Sequence, residues 1–144
     1  GNALYNTDSK WEAVTLLRKN DGAKIAILAL GATAGIALEA AEQLGGSADV
    51  YVINGLPLPD GFLDGIFGEY DGVVTVEDGI IGTRTTGVRG FAGLVLSAAS
   101  CTSAKTEHIG IVDPRIAPSE GHEEIWEHFG LTSGAIAAAA KSLT

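Results

Sequence analysis

Two acidic residues, Glu77 and Asp78, follow the apolar run VVTV, where a buried strand is expected to end. Open α/β sheets bind ligands at the carboxyl ends of their strands, so carboxylates at this place could act as an acid or a base. Adjacent side chains on an extended strand point in opposite directions, however, so the two carboxylates cannot form a paired dyad. We therefore expect a structural or interface role, such as holding a loop through backbone N–H groups.

Two arginines lie in the loop that follows. Arg84 and Arg89 fall in residues 79–90, a stretch without any acidic residue in a chain of net charge −9. They precede a predicted helix, and guanidinium groups together with helical N–H groups suit a phosphate or a carboxylate. The same arginines could instead pair with surface acids of this subunit or a neighbouring one. Both interpretations stay open.

A glycine-marked turn follows the first apolar run and reads Gly31-Ala-Thr-Ala-Gly35. It occupies the position of a dinucleotide-binding loop but lacks the middle glycine that lets backbone approach a pyrophosphate. Tight packing of strand against helix is therefore the better interpretation. Thr33 is predicted to be the N-cap of the next helix, and it remains a candidate for contact with an anion.

The histidines and the single cysteine form no recognisable metal or catalytic set. His122 and His128 are six residues apart, which puts them on different faces of a helix, and no cysteine neighbours them. We expect His122 to be a capping or surface residue, and it remains a candidate for contact with an anion or a neighbouring subunit. Cys101 is expected to be a small apolar filler. No catalytic, cofactor-binding or metal-binding residue is predicted.

The composition indicates one α/β domain. The chain has 144 residues, of which 46% are hydrophobic, which is enough for one core and too few for two. The net charge of −9 argues against a nucleic acid partner, and no apolar run is long enough to cross a membrane. A single cysteine fits a reducing cytoplasm. The absence of methionine suggests a section of something longer.

Four short apolar runs, rich in Val and Ile, predict parallel strands covered on both faces. They span residues 24–30, 49–53, 72–76 and 108–112. Helices are expected from Thr33, from Asp60, over residues 88–99, from Ser119 and after Thr132. A capping box at Ser9 predicts a short helix through Lys19 in an N-terminal extension, residues 1–20, before the domain of residues 21–144.

The predicted helix over residues 88–99 is apolar on nearly every side, so it must be covered by the sheet and by something else. We expect it to be a contact surface, with Phe91 and Leu94 as interface residues. Glycines at positions 90 and 93 would allow the close approach of a neighbour.

Taken in order, several segments resemble the C-terminal domain of thiamine-diphosphate enzymes of the transketolase type. The opening strand, turn and helix of that domain resemble GAKIAILALGATAGIALEAAEQL, and its next strand and elbow resemble VYVINGLPLPDGFLDGI. The family's strand ending in Glu is similar to GVVTVEDG. The closing helix of transketolases and 1-deoxyxylulose-5-phosphate synthases is similar to GLTSGAIAAAAKSL. The resemblance covers residues 21–143.

This resemblance implies a Rossmann-like, three-layer α/β domain with a mostly parallel, mixed sheet of about five strands and helices on both faces. It also implies two kinds of partner. One is the set of other transketolase domains or the subunit that carries them, and the other is a second copy in a homodimer. The family's Gly-Asp-Gly…Asn motif for diphosphate and magnesium is imitated only by Asn20-Asp21-Gly22 with Asn54, which precedes a strand. The activating Glu belongs to another domain. The resemblance thus implies that thiamine diphosphate and Mg act in the complete enzyme, with none bound by this section, which is inactive alone.

Two alternatives remain open. A stand-alone α/β module would bind a nucleotide or a sugar phosphate at the turns that carry Thr33 and Arg89. The β-subunit end of a 2-oxoacid dehydrogenase would instead dock an acyltransferase. Against the latter, the tail SEGHEEIWEHFGLT continues into a helix, as transketolase-like chains do.

Overall fold

The computed structural model describes residues 13–81, 90–111 and 131–144, which form one five-stranded sheet with helices on both faces. The strand order is β1-β3-β2-β4-β5, and only β1 runs antiparallel to its neighbour. The strands are β1 (Val14–Arg18), β2 (Ile25–Leu30), β3 (Ala48–Ile53), β4 (Gly72–Ile80) and β5 (Lys105–Ile111). The predicted mixed α/β sheet is confirmed.

The edge strand β1 corrects one prediction. The helix expected from Ser9 through Lys19 is wrong over Val14–Arg18, which pair antiparallel with β3 so that Val14 lies opposite Ile53. Two of the five residues are β-branched, and pairing with β3 satisfies backbone groups through a partner that no local pattern reveals. Ser9 itself lies outside the described residues. Residues 14–18 therefore belong to the sheet.

Four helices in the described residues cover the sheet. They are α1 (Ala34–Gln43), α2 (Phe62–Glu69), α3 (Gly90–Ala99) and α4 (Ser133–Ser142). One core joins α1 and α4 to Ile25 and Ile27 of β2, and the other joins α2 and α3 to Ala26 and Leu28. Because alternate residues of a strand face opposite sides, the helices form two layers around the sheet.

The ends of the elements follow the sequence in part. The helix predicted after Thr132 is present as α4, and Thr132 caps it, since its hydroxyl accepts a hydrogen bond of 3.1 Å from the backbone N–H of Ala135. The predicted cap at Asp60 is wrong: Gly61, with φ +77°, precedes α2 and allows a tight left-handed turn. The helix expected from Ser119 lies outside the described residues.

The connections diverge at the centre of the sheet. The helix α1 leads from β2 toward β3 on one side, whereas α3 leads from β4 toward β5 on the other. The point of divergence therefore lies between the carboxyl ends of β2 and β4, where open α/β sheets form a ligand crevice. None of the helices in the described part of the chain has the length and apolarity that a membrane-spanning segment needs.

Candidate functional site

Thr33 stands at this point of divergence, and its side chain is fully buried. Its Oγ1 atom lies 2.8 Å from the carbonyl oxygen of Leu30 and 3.1 Å from that of Val76. Thr33 occupies the N-cap position of α1, as predicted, but its side chain makes no capping hydrogen bond. The hydroxyl instead joins the end of β2 to the end of β4 and closes the crevice between them.

Glu77 lies beside this crevice near the end of β4 and is 5% exposed. Its Oε1 accepts a hydrogen bond of 2.8 Å from the backbone N–H of Ala92, and its Oε2 accepts one of 3.3 Å from that of Phe91. The carboxylate therefore satisfies donors in the first turn of α3, which the helix itself cannot pair. A carboxylate that holds backbone N–H groups is the kind of role predicted for this residue.

Burial raises the pKa of the Glu77 carboxyl above its ordinary value. The hydrogen bonds from Ala92 and Phe91 oppose this shift, and the nearby charge of Asp78 adds to it. Gly90 adopts φ +68°, and a Cβ added there would lie 3.0 Å from the Glu77 Oε2. The left-handed backbone and the close carboxylate both favour glycine at this position.

Asp78 has a different environment from Glu77, as the sequence predicts for neighbours on a strand. Its side chain is exposed, and it lines a cleft of about 240 Å³ with Asn54, Gly55, Leu56 and the turn after β2. Glu77 is instead turned inward onto α3. The two carboxylates therefore form no acid–base pair, and no nucleophile lines the cleft among the described residues.

Three predicted site residues, Arg84, Arg89 and His122, lie outside the described residues, so the anion hypothesis stays a prediction. Within the described ranges, no group of three or more His, Cys, Asp and Glu side chains could hold a metal ion. The Nδ1 atom of His108 lies 2.6 Å from Thr75 Oγ1. Cys101 is exposed in a surface turn after α3, so its prediction as an apolar filler is wrong.

The described residues do not fit a diphosphate-bound magnesium ion. The segment Asn20-Asp21-Gly22 precedes β2, whereas Asn54 follows β3, and these strands run parallel. The two segments thus lie at opposite ends of the strands, which we call the amino edge and the carboxyl edge of the sheet. They are roughly 20 Å apart, because β2 has six residues and each residue of a strand rises about 3.3 Å. Asn20 also bonds to β3 at the amino edge, where its N–H donates to Asp49 at 2.6 Å.

A polar cluster at the amino edge was not predicted from the sequence. Its centre is Asp49, a fully buried residue of β3. The carboxylate accepts hydrogen bonds from the ammonium of Lys19 at 3.0 Å, the N–H of Asn20 at 2.6 Å and the hydroxyl of Tyr70 at 2.5 Å. The hydroxyls of Tyr70 and Tyr51 are 2.9 Å apart. The carboxylate therefore ties the end of β1 and the start of β4 to β3.

Two members of this cluster, Tyr70 and Lys19, have raised pKa values. Burial raises the pKa of Tyr70, and the hydrogen bond to Asp49 raises it further. The hydrogen bond to Asp49 likewise raises the pKa of Lys19. The cluster connects three elements and opens onto no cleft with a nucleophile, so its role is to hold the amino edge. An acid inside the apolar run ADVYVI was the signal that a buried partner is required.

The two residues assigned to an interface on α3 have opposite environments. Phe91 is 2% exposed and packs in the core with α2, and its assignment to an interface stays a prediction. Leu94 is 45% exposed and points away from the sheet. Leu56, in the segment between β3 and α2, is 55% exposed, and both leucines line one groove. The outward face of α3 therefore carries an uncovered apolar surface.

No family model matches the sequence, and no curated protein matches it either. Solved structures do match. A split-gene transketolase, described as an inactive β4 tetramer, aligns with 99% of this chain at a TM-score of 0.75 and 26% identity. The transketolase from Campylobacter jejuni aligns with 97% at a TM-score of 0.64 and 16% identity. The transketolase from Leishmania mexicana aligns with 92% at 0.63 and 17% identity.

The chain has the fold of a transketolase C-terminal domain, which confirms the resemblance found in its sequence. The similarity extends over almost all of this chain but over much less of the matched proteins. It spans 46% of the split-gene transketolase chain, 20% of the Campylobacter jejuni enzyme and 18% of the Leishmania mexicana enzyme.

Proposed function

We propose that this chain is the C-terminal section of a thiamine-diphosphate-dependent, transketolase-type enzyme that acts on sugar phosphates. It is either a domain of a longer polypeptide or a separate subunit, it works in the cytoplasm within a homodimeric enzyme, and it has no activity alone. The observation that carries this proposal is the alignment of 99% of the chain with a split-gene transketolase. That protein is itself described as inactive in its β4 form.

The polar groups at the carboxyl edge support an inactive section. A catalytic site in an open α/β sheet would use groups at the ends of β2 and β4. Here the Thr33 hydroxyl contacts Val76, and the Glu77 carboxylate receives N–H groups of α3. These groups stabilise the section and leave no acid, base or nucleophile in a catalytic arrangement within the described residues.

The cofactor belongs to the rest of the enzyme under this proposal. Thiamine diphosphate would supply the carbanion chemistry of a transketolase, with Mg holding its diphosphate. Asp21 and Asn54, the residues that imitate the family's metal motif, lie at opposite ends of the parallel strands. The section therefore contributes structure and contact surface, and the preceding domains contribute the cofactor site.

The experiment uses three samples: this chain, the polypeptide that carries the first two transketolase domains, and their mixture. We expect no transketolase activity and no binding of thiamine diphosphate with Mg by this chain alone. Activity should appear on mixing and should titrate with the added chain. Micromolar binding of the cofactor by this chain in calorimetry would contradict the inactive role. A two-domain polypeptide that is fully active alone would contradict the assembly role.

A further inference from the structure

An apolar groove runs between the segment after β3 and the outward face of α3. We call it the leucine groove; its volume is about 350 Å³. The apolar side chains that line it are Leu56, Pro57, Leu58, Pro59, Leu63 and Leu94. The described residues contain three large hydrophobic side chains that are strongly exposed, and two of them, Leu56 and Leu94, line this groove. Such a concentration of uncovered apolar surface indicates a contact with another polypeptide.

The rim of the leucine groove is acidic. Asp60 and Asp64 both line it, and both are exposed. The salt bridges among the described residues involve other acids, so neither rim carboxylate has a cationic partner there. An apolar floor with two uncompensated carboxylates is complementary to a partner that presents an apolar side chain flanked by lysine or arginine.

The acidic rim also disfavours a second copy of this chain as the occupant. A two-fold contact through the groove would bring Asp60 and Asp64 of one copy close to the same residues of the other. Each copy carries a net charge of −9, so the repulsion between the rims would add to a general repulsion. A different, basic surface suits the groove better.

The amino end of β1 lies close to the leucine groove. The backbone N–H of Asn54 donates a hydrogen bond of 2.6 Å to the carbonyl oxygen of Ala13, the residue before β1. Ala13, at the amino end of β1, therefore pairs with a residue two positions before Leu56. The amino-terminal side of β1, on which a preceding section would connect, is thus close to the leucine groove.

We propose that the leucine groove docks the section that precedes this domain in the transketolase-type enzyme, whether joined to it or made as a separate subunit. That section inserts an apolar side chain between Leu56 and Leu94 and places basic residues against Asp60 and Asp64. The inference rests on the proposed function and specifies which surface performs the assembly. In this proposal the two interface residues are Leu94 and Leu56, whereas the sequence predicted Leu94 and Phe91.

The test measures binding between this chain and the two-domain polypeptide by calorimetry, together with the activity of the mixture. Leu94→Asp and Leu56→Asp should each weaken the Kd by about tenfold or more, since both put a charge into an apolar contact. Leu16→Asp is the matched control, because Leu16 on β1 is 45% exposed, as Leu94 is, but lies outside the groove. It should bind like wild type. Circular dichroism and the melting temperature verify that each variant is folded.

A charge test is independent of the leucines. Replacing both rim acids, Asp60→Asn with Asp64→Asn, should weaken binding at low salt and reduce its salt dependence. Glu39→Gln, an exposed acid on α1 at the other face of the sheet, is the control and should change neither. This pair remains informative if a leucine variant fails to fold.

The outcomes separate the two proposals. If the groove variants bind the two-domain polypeptide with the same Kd as wild type, the docking role of the leucine groove is overturned and the proposed function is left intact. A wild-type chain that neither binds the two-domain polypeptide nor yields activity with it overturns both. Groove substitutions that abolish self-association of this chain, while binding to the two-domain polypeptide persists, would assign the groove to a second copy and overturn the inference.

Discussion

The carboxylate of Glu77 accepts a hydrogen bond of 2.8 Å from the backbone N–H of Ala92, and this contact joins the end of β4 to the first turn of α3. The helix that it anchors also carries Leu94 on its outward face. This hydrogen bond at the carboxyl edge of the sheet thus fixes the position of an exposed apolar surface.

Removal of the Glu77 carboxylate should destabilise the domain. Glu77→Ala leaves two buried N–H groups of α3 without an acceptor, which should lower the free energy of unfolding by about 2 kcal/mol. Asp78→Ala is the matched control, because Asp78 is the neighbouring acid but is exposed, and it should cost less than about 0.5 kcal/mol. Urea unfolding measures both. Equal effects would show that the hydrogen bonds to α3 contribute nothing.

The raised pKa of Glu77 gives its contribution a definite dependence on pH. Because burial raises this pKa above the ordinary 4.5, the folded state binds a proton more tightly than the unfolded state. The contribution is therefore fully present below pH 4.5 and is lost as the pH rises through the folded-state pKa. The unfolding free energy of wild type, minus that of Glu77→Gln, should fall with rising pH in this window. A difference that stays constant or rises would contradict the assignment.

Gly90 should not tolerate a side chain. It has φ +68°, and an added Cβ would lie 3.0 Å from the Glu77 Oε2, so Gly90→Ala should cost about 1–2 kcal/mol. Gly35→Ala is the control: Gly35 lies in α1 with open space around its Cα, and alanine there should stabilise by up to about 1 kcal/mol. Thermal unfolding of the two variants should shift in opposite directions, and a common direction would refute the proposed strain.

The Asp49 cluster makes a prediction at the other edge of the sheet. Asp49→Asn turns an amide N–H₂ toward the donors of Lys19 and Tyr70, so it should lower stability by about 2–3 kcal/mol. Glu69→Gln is the control, because Glu69 is an exposed acid 3.7 Å from the same lysine, and its effect should stay within about 0.5 kcal/mol. Similar losses for both variants would show that burial of the carboxylate is unimportant.

Much of the fold could be predicted because parallel strands that are covered on both faces have a strong local signature. The runs within β2, β3 and β4 are mostly apolar, and a break marked by glycine follows each of them. The strand β1 could not be predicted in the same way. Its residues VTLLR suit a helix or a strand, and only the free edge of β3, distant in sequence, decides between them.

The candidate site was predicted less completely, for reasons of burial. The role of Glu77 followed from the alternation of side chains along a strand, but its partners on α3 depend on tertiary packing. Phe91 and Leu94 are equally apolar in the sequence, and only the packing of α3 against α2 buries Phe91 and exposes Leu94. The sequence offered no signal that would distinguish them, because α3 is apolar around most of its circumference.

The activity of the mixture tests the central proposal most directly. This chain, titrated into a fixed amount of the polypeptide that carries the first two transketolase domains, should raise transketolase activity from zero to a plateau at a one-to-one ratio. Leu94→Asp should shift that titration to higher concentrations, whereas Leu16→Asp should follow wild type. Full activity of the two-domain polypeptide without this chain, or no activity at any ratio, would contradict the account.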